Sequence, residues 1–218
     1  MHILDQQISK RHLLDHAFYQ RWMEGSLAKA ELQRYVQNYQ PHVEAFPRYV
    51  SAVHAQCEDT PTRLALLDNL IEEEHGHENH PELWLRFGES LGMSRDEITS
   101  SPKLDCAEKL KQTFLSLTQK SFATGLGALY AYESQVPEIA KQKIKGLRNF
   151  YGVTETRGLA FFQVHQEADQ YHAASEKSAF DALSPADQDQ ALTAVEITTQ
   201  TLWDFLSALD EATNKLSH

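Results

Sequence analysis

An all-α protein, a compact bundle of about seven helices, is what this sequence predicts, and three observations carry the prediction. Apolar residues recur at helical spacing through most of the chain, no segment makes a credible strand, and no internal repeat is present. Helices of this kind bury their apolar faces against one another as a bundle.

Each element follows from its own pattern. Leu4, Ile8, Leu14, Phe18 and Trp22 keep helical spacing until Gly25-Ser26 interrupts them, which predicts one helix from Leu4 to Trp22. Lys29 to Gln56 carries Leu32, Tyr35, Val36, Tyr39, Val43, Phe46, Val50 and Val53 on one face, a long helix bent at Pro41 and Pro47. Asp59-Thr60-Pro61 reads as a cap with proline in the first turn, opening a helix through Leu64, Leu67, Leu70 and Ile71 that Pro81 should disturb. Ser94 and Glu97 have capping-box spacing for a short helix.

Lys103 to Tyr132 reads as one strongly periodic helix, in which Gly125 and Gly127 cost roughly 1 kcal/mol each against Ala. Close approach of a neighbouring helix would explain them. The Gly-Leu-Gly-Ala run there is no phosphate loop, because it follows no strand and lacks a downstream Lys. Pro137 marks a break before a helix from Ile139 to Phe150. Thr154 to Leu183 forms the next segment, and Ser184-Pro185 caps a last amphipathic helix through Leu192, Val195, Leu202, Phe205, Leu206 and Leu209.

Composition narrows the class. The 218 residues suffice for one generous domain, read as a single domain over residues 1–218. Hydrophobic residues at 41% and charged residues at 23% argue against disorder. With 31 acidic and 20 basic residues, the formal charge of -11 disfavours nucleic acid and anionic membranes as partners, since phosphate contacts need clustered Lys and Arg. Cys57 and Cys106 are too few for a disulfide framework, and no signal-like segment or membrane span is visible, so a cytoplasmic location is expected.

The most informative segment is His165-Gln166-Glu167-Ala168-Asp169-Gln170-Tyr171-His172. Steps of four and seven residues keep His165, Asp169 and His172 within roughly 60° of one another around a helix axis. Two imidazoles and a carboxylate so placed suit iron, manganese or zinc, although a solvated helix face would show the same residues. A second cluster, Glu72 to His80, holds four carboxylates and three imidazoles. Within it Glu73 and His80 share a face, but an ideal helix would separate their backbones by about 10.5 Å. They then serve two ions, or the helix is distorted, as Pro81 suggests. This segment is expected to be mobile and to order when metal binds. Glu133 ends an apolar helix, where a buried carboxylate needs a metal or a polar partner. If the three helices converge, Glu73, His80, Glu133, His165, Asp169 and His172 offer three imidazoles and three carboxylates, a set suited to two divalent transition ions.

These residues resemble a family. His16-Ala17-Phe18-Tyr19-Gln20-Arg21-Trp22, Ala45-Phe46-Pro47-Arg48-Tyr49, Asp68-Asn69-Leu70 with Glu73 and His80, Leu129 to Gln135, Lys143 to Leu147 and His165 to His172 are similar to the haem-oxygenase-like di-metal oxidases. Within that family they are most like the branch containing the chlamydia protein associating with death domains and its bacterial relatives that make p-aminobenzoate. The resemblance runs through nearly the whole chain and implies a haem-oxygenase-like bundle, within the wider fold of thiamin-salvage hydrolases and the pyrroloquinoline quinone oxidase. It implies two transition-metal ions, Fe/Fe or Mn/Fe, with O2 and an electron donor as co-substrates. It further implies that the protein is its own substrate, with Tyr19 giving the ring of p-aminobenzoate and Lys143 the amino nitrogen. From the residues alone Tyr19 would be a core aromatic and Lys143 a surface lysine. The segment Asn214-Lys215-Leu216-Ser217-His218 lacks the Cys-rich tail of the chlamydial relative, so death-domain binding is not expected; a homodimer is left open. Two other classes stay open on sequence: an oxygenase acting on an external small molecule by N-oxygenation or oxidative decarboxylation, and a helical docking module without need of the ligands.

Overall fold

In a computed structural model the chain is helical throughout, and the structure describes residues 1–214, apart from the side chains of 167–170 and 213–214. Among the described residues there are eleven α-helices where the sequence predicts about seven: α1 Ile3–Ser9, α2 Ala17–Glu24, α3 Lys29–Gln56, α4 Thr60–Glu74, α5 His80–Ser90, α6 Arg95–Thr99, α7 Asp105–Lys120, α8 Phe122–Glu133, α9 Val136–Phe150, α10 Thr156–Asp181 and α11 Pro185–Asn214. The all-α class stands, and the extra helices come from breaks inside predicted ones. None of the described helices is long and apolar enough to cross a membrane.

The expected helix from Leu4 to Trp22 is three pieces: α1, a 3-10 turn at Leu13–Asp15, and α2. Each piece opens on a histidine whose Nδ1 accepts a backbone N–H: His2 from Leu4 (3.3 Å), His12 from Leu14 (3.3 Å) and His16 from Phe18 (3.0 Å). A side-chain acceptor that satisfies the first amide groups of a helix starts a new one there. By contrast, α3 runs without interruption through Pro41 and Pro47.

The expected helix from Lys103 to Tyr132 is divided at Ser121, whose backbone is extended. Ser121 and Thr124 exchange side-chain bonds with each other's N–H groups (3.2 and 3.1 Å), a reciprocal cap that favours a fresh start over continuation. The change of direction sends α8 through the middle of the bundle, against α3, α7, α9, α10 and α11, with every residue from Ala123 to Glu133 buried. A helix apolar on all sides suits only such a central place. Gly127 lets α8 lie flush on α11, since a Cβ there would run into the carbonyl oxygen of Ala191. Gly146 does the same for α9 on α2: a Cβ there would stand 2.7 Å from the Trp22 ring, whose Nε1 donates to the Lys143 carbonyl at 3.3 Å.

Gly127→Ala is therefore expected to destabilise the fold by ~1–3 kcal/mol through overpacking against a backbone that cannot yield, measurable as a lowered urea midpoint.

Candidate metal centre and its cavity

The last turn of α4 gathers the sequence-predicted acidic and imidazole residues. Asn69, one turn before Glu73, donates from Nδ2 to Glu133 Oε1 at 2.9 Å, which fixes the end of α8 against α4. Glu72 Oε2 lies 3.5 Å from His172 Nε2, so α10 borders the same turn. Glu73 Oε2 lies 2.8 Å from His80 Nδ1. Glu73, His80 and His165 are each buried, and one ligand atom from each falls within 4.8 Å of the others, a group that could hold a metal ion.

Glu73 and His80 meet because the helix is not merely distorted between them. It stops. α4 ends at Glu74, residues 75–79 turn through Gly76 at φ 88°, and α5 begins at His80. Asn79 caps α5 by accepting from the Glu82 N–H (3.0 Å), and Pro81 in the first turn suits a helix start. Arg86 clamps the turn from outside, donating to Glu78 Oε1 at 2.7 Å and to the His77 carbonyl at 3.2 Å. The ideal-helix separation thus gives way to direct contact, and both residues can serve one ion.

The ring of His165 lies 4.3 Å from that of His80, tilted by 42°, and its Nδ1 bonds the Phe161 carbonyl at 2.5 Å. That bond places the proton on Nδ1 and leaves the Nε2 lone pair for a metal. Burial, and next the neighbouring His80, hold the His165 pKa well below the usual imidazole value, so the ring is in its neutral, ligating form. Glu133 and His172 are 1% and 5% exposed. Asp169 lies outside the described side chains. The interior therefore offers carboxylate oxygens and imidazole nitrogens, the donor set of iron and manganese, in a place where unneutralised carboxylates would be costly.

Beside this group lies a cavity of about 30 Å³ that touches His165, Lys143, Tyr19, Tyr39 and Tyr132 within an otherwise apolar lining. Lys143 is no surface residue: it is 6% exposed, and its Nζ donates to the Tyr35 hydroxyl at 2.6 Å. The amine also lies 4.9 Å from the centre of the Tyr19 ring and 4.7 Å from that of Tyr35. Desolvation pushes its pKa down to about 7. Burial has the opposite sign for a phenol, and holds Tyr19, Tyr35 and Tyr39 in the protonated form. Tyr39 donates to the Tyr132 hydroxyl at 3.0 Å across the cavity.

Three residues of the site escape the sequence reading. Asn69 and Tyr35 read as a motif member and a core aromatic. Glu176, 3% exposed, sits one turn beyond His172. Eleven residues from His165 is about 20° around the axis, so the ligand face of α10 continues to it, a signal the sequence does contain.

A family model described as iron-containing redox enzyme matches residues 33–203. The chain belongs to this family of iron-containing redox enzymes. It is 43% identical over 217 residues to a 4-aminobenzoate synthase of Chlamydia pneumoniae, covering 99% of this chain and 96% of that one. To a 4-aminobenzoate synthase of Nitrosomonas europaea it is 40% identical, covering 95% and 89% of the two chains. Among solved structures, a CADD-like protein of unknown function from Nostoc punctiforme superposes with a TM-score of 0.75 at 18% identity, covering 96% of each chain. This iron-containing redox enzyme thus shares its fold with a protein related to it only distantly in sequence.

Two outcomes follow from the geometry. Chelating the metal should speed amide hydrogen exchange in residues 72–80 relative to the loaded protein; identical exchange would show that the segment is ordered by Arg86 and Asn79 alone. Lys143→Met should raise stability at pH 7 by on the order of 2–4 kcal/mol, because the unfolded lysine keeps its proton to about pH 10.4 while the folded one releases it near 7. The cost of the buried amine is fully present below pH 7 and fades as pH rises toward 10.4, so urea melts at pH 7 and pH 10.4 should separate and then converge.

Proposed function

We propose that this protein makes p-aminobenzoate from itself, with Tyr19 supplying the ring, Lys143 the amino nitrogen, and Glu73, His80, Glu133, His165, Asp169 and His172 holding two transition-metal ions, Fe/Fe or Mn/Fe. One observation carries the reading: a buried amine of near-neutral pKa lies over the Tyr19 ring at 4.9 Å, and both border a cavity that reaches His165. The names of the Chlamydia and Nitrosomonas relatives support the same product.

Cavity size favours an internal substrate over an external one. Pockets for organic ligands run to ~300 Å³ and more, whereas about 30 Å³ admits O2 or a water molecule beside the tyrosines. When bound, the metal pair would supply oxidising power from O2 and an external electron donor. The residues of the chain then have separate tasks. Phe18 fixes the plane of the Tyr19 ring from within α2, packing edge-on at 5.7 Å. Burial keeps the Tyr19 phenol protonated, so the ring enters the reaction neutral. Lys143 is about half unprotonated near pH 7, which makes its nitrogen a nucleophile without a separate base. Tyr35 holds that nitrogen in place. The product has one carbon beyond its ring, which corresponds to Cβ of Tyr19; the Cα–Cβ bond is the one that must break.

Protein grown on ring-labelled tyrosine, then loaded with iron or iron and manganese and exposed to O2 and reductant, should release labelled p-aminobenzoate. Unlabelled product, or none from fully loaded protein, would move the reading to an oxygenase with an external substrate. Tyr19→Phe should eliminate product while sparing metal content, and His172→Ala or Glu133→Ala should lower metal content itself. The initial rate should rise as pH passes upward through about 7, tracking the free amine of Lys143.

A further inference from the structure

We propose that loss of the Tyr19 side chain leaves a binding site for a small neutral aromatic molecule bearing a hydroxyl or amino group, so that a spent chain becomes a receptor for phenols and anilines; the inference rests on Tyr19 as the source of the ring. Residue 19 then ends at Cα, and the volume of its ring joins the adjoining cavity of about 30 Å³. The combined space is on the order of 150 Å³, room for a benzene-sized ring.

The walls do not need the ring to stand. Phe18, Trp22 and Tyr35 are 1%, 1% and 0% exposed and pack on one another, Phe18 to Tyr35 at 5.4 Å and Trp22 to Tyr35 at 5.7 Å. Trp22 is tied to α9 through the Lys143 carbonyl and by its contact with Gly146. The start of α2 is pinned separately, since His16 Nε2 meets Ser207 Oγ of α11 at 3.0 Å. Interiors held from several sides relax only partly around a deleted side chain.

The polarity of the hole selects the ligand. Tyr35 faces both the Tyr19 hydroxyl and the Lys143 amine. Removal of the ring takes away the first partner, and transfer of the lysine nitrogen takes away the second. A fully buried hydroxyl then lacks its bonds, which a hydroxyl or amino group on an entering ring restores. A carboxylate would enter the same apolar space at the cost of its hydration, so p-aminobenzoate itself should bind more weakly than aniline and leave.

The test uses Tyr19→Gly, which opens the space and removes the first of the two Tyr35 partners, with Tyr19→Ala as a second, helix-favouring version. Phenol or aniline at ten times its Kd should raise Tm by ~3–6 °C in both variants and leave the unaltered protein unmoved. At the same concentration benzene and p-aminobenzoate should give smaller shifts. In the double variant Tyr19→Gly with Tyr35→Phe, the preference for phenol over benzene should disappear. Absence of any shift in folded variants would overturn the proposal, as would failure of both to fold, since a spent chain would then hold no site. Labelled tyrosine that fails to reach the product would remove the reading of Tyr19 as ring source while leaving these titrations to stand.

Discussion

Carboxylates in a helical interior are the constraint around which the rest is arranged. Glu73, Glu133 and Glu176 are all 4% exposed or less, and each ionised carboxylate removed from water forfeits several kcal/mol of hydration. A cluster of that kind folds only where cations or protons can offset it. The arrangement uses helix ends. α4 finishes, α5 begins and α8 finishes at the same place, so that backbone changes of direction coincide with the ligands. Only α10 passes through without a break, and His165, His172 and Glu176 recur along one face of it.

That division explains what the sequence discloses. His165 and His172 are legible because they lie within an uninterrupted helix, where spacing converts directly into geometry. Glu73 and His80 are legible as a cluster but not as a contact, because their meeting depends on a turn set by Gly76, Asn79 and Arg86. Similar local chemistry hides the division of the helix at Ser121: the hydrophobic period continues across it, and the reciprocal Ser121–Thr124 cap overrides the period. Gly125 and Gly127 do signal a close neighbour, and Gly127 finds it in Ala191. Lys143 and Tyr35 are 108 residues apart, a pairing that no local pattern encodes.

The two polar parts of the interior use opposite strategies. At the metal centre negative charge is concentrated, which favours cations. At Lys143 the same low polarity strips a side chain of its charge and leaves it reactive. His165 stands at the junction: it borders the cavity on one side and belongs to the acid and imidazole group on the other. The acid and imidazole group and a buried amine thereby border one space.

The three histidine caps along the N-terminal arm give acid a particular way into the molecule. A protonated imidazole has no lone pair to offer, so a proton on Nδ1 of His2, His12 or His16 turns a cap into a repulsive contact with the amide it held. Burial lowers the proton affinity of His16, which defends the cap of α2 in particular. The start of α2, and with it the placement of Tyr19, thus stays capped to a lower pH than an exposed imidazole would allow.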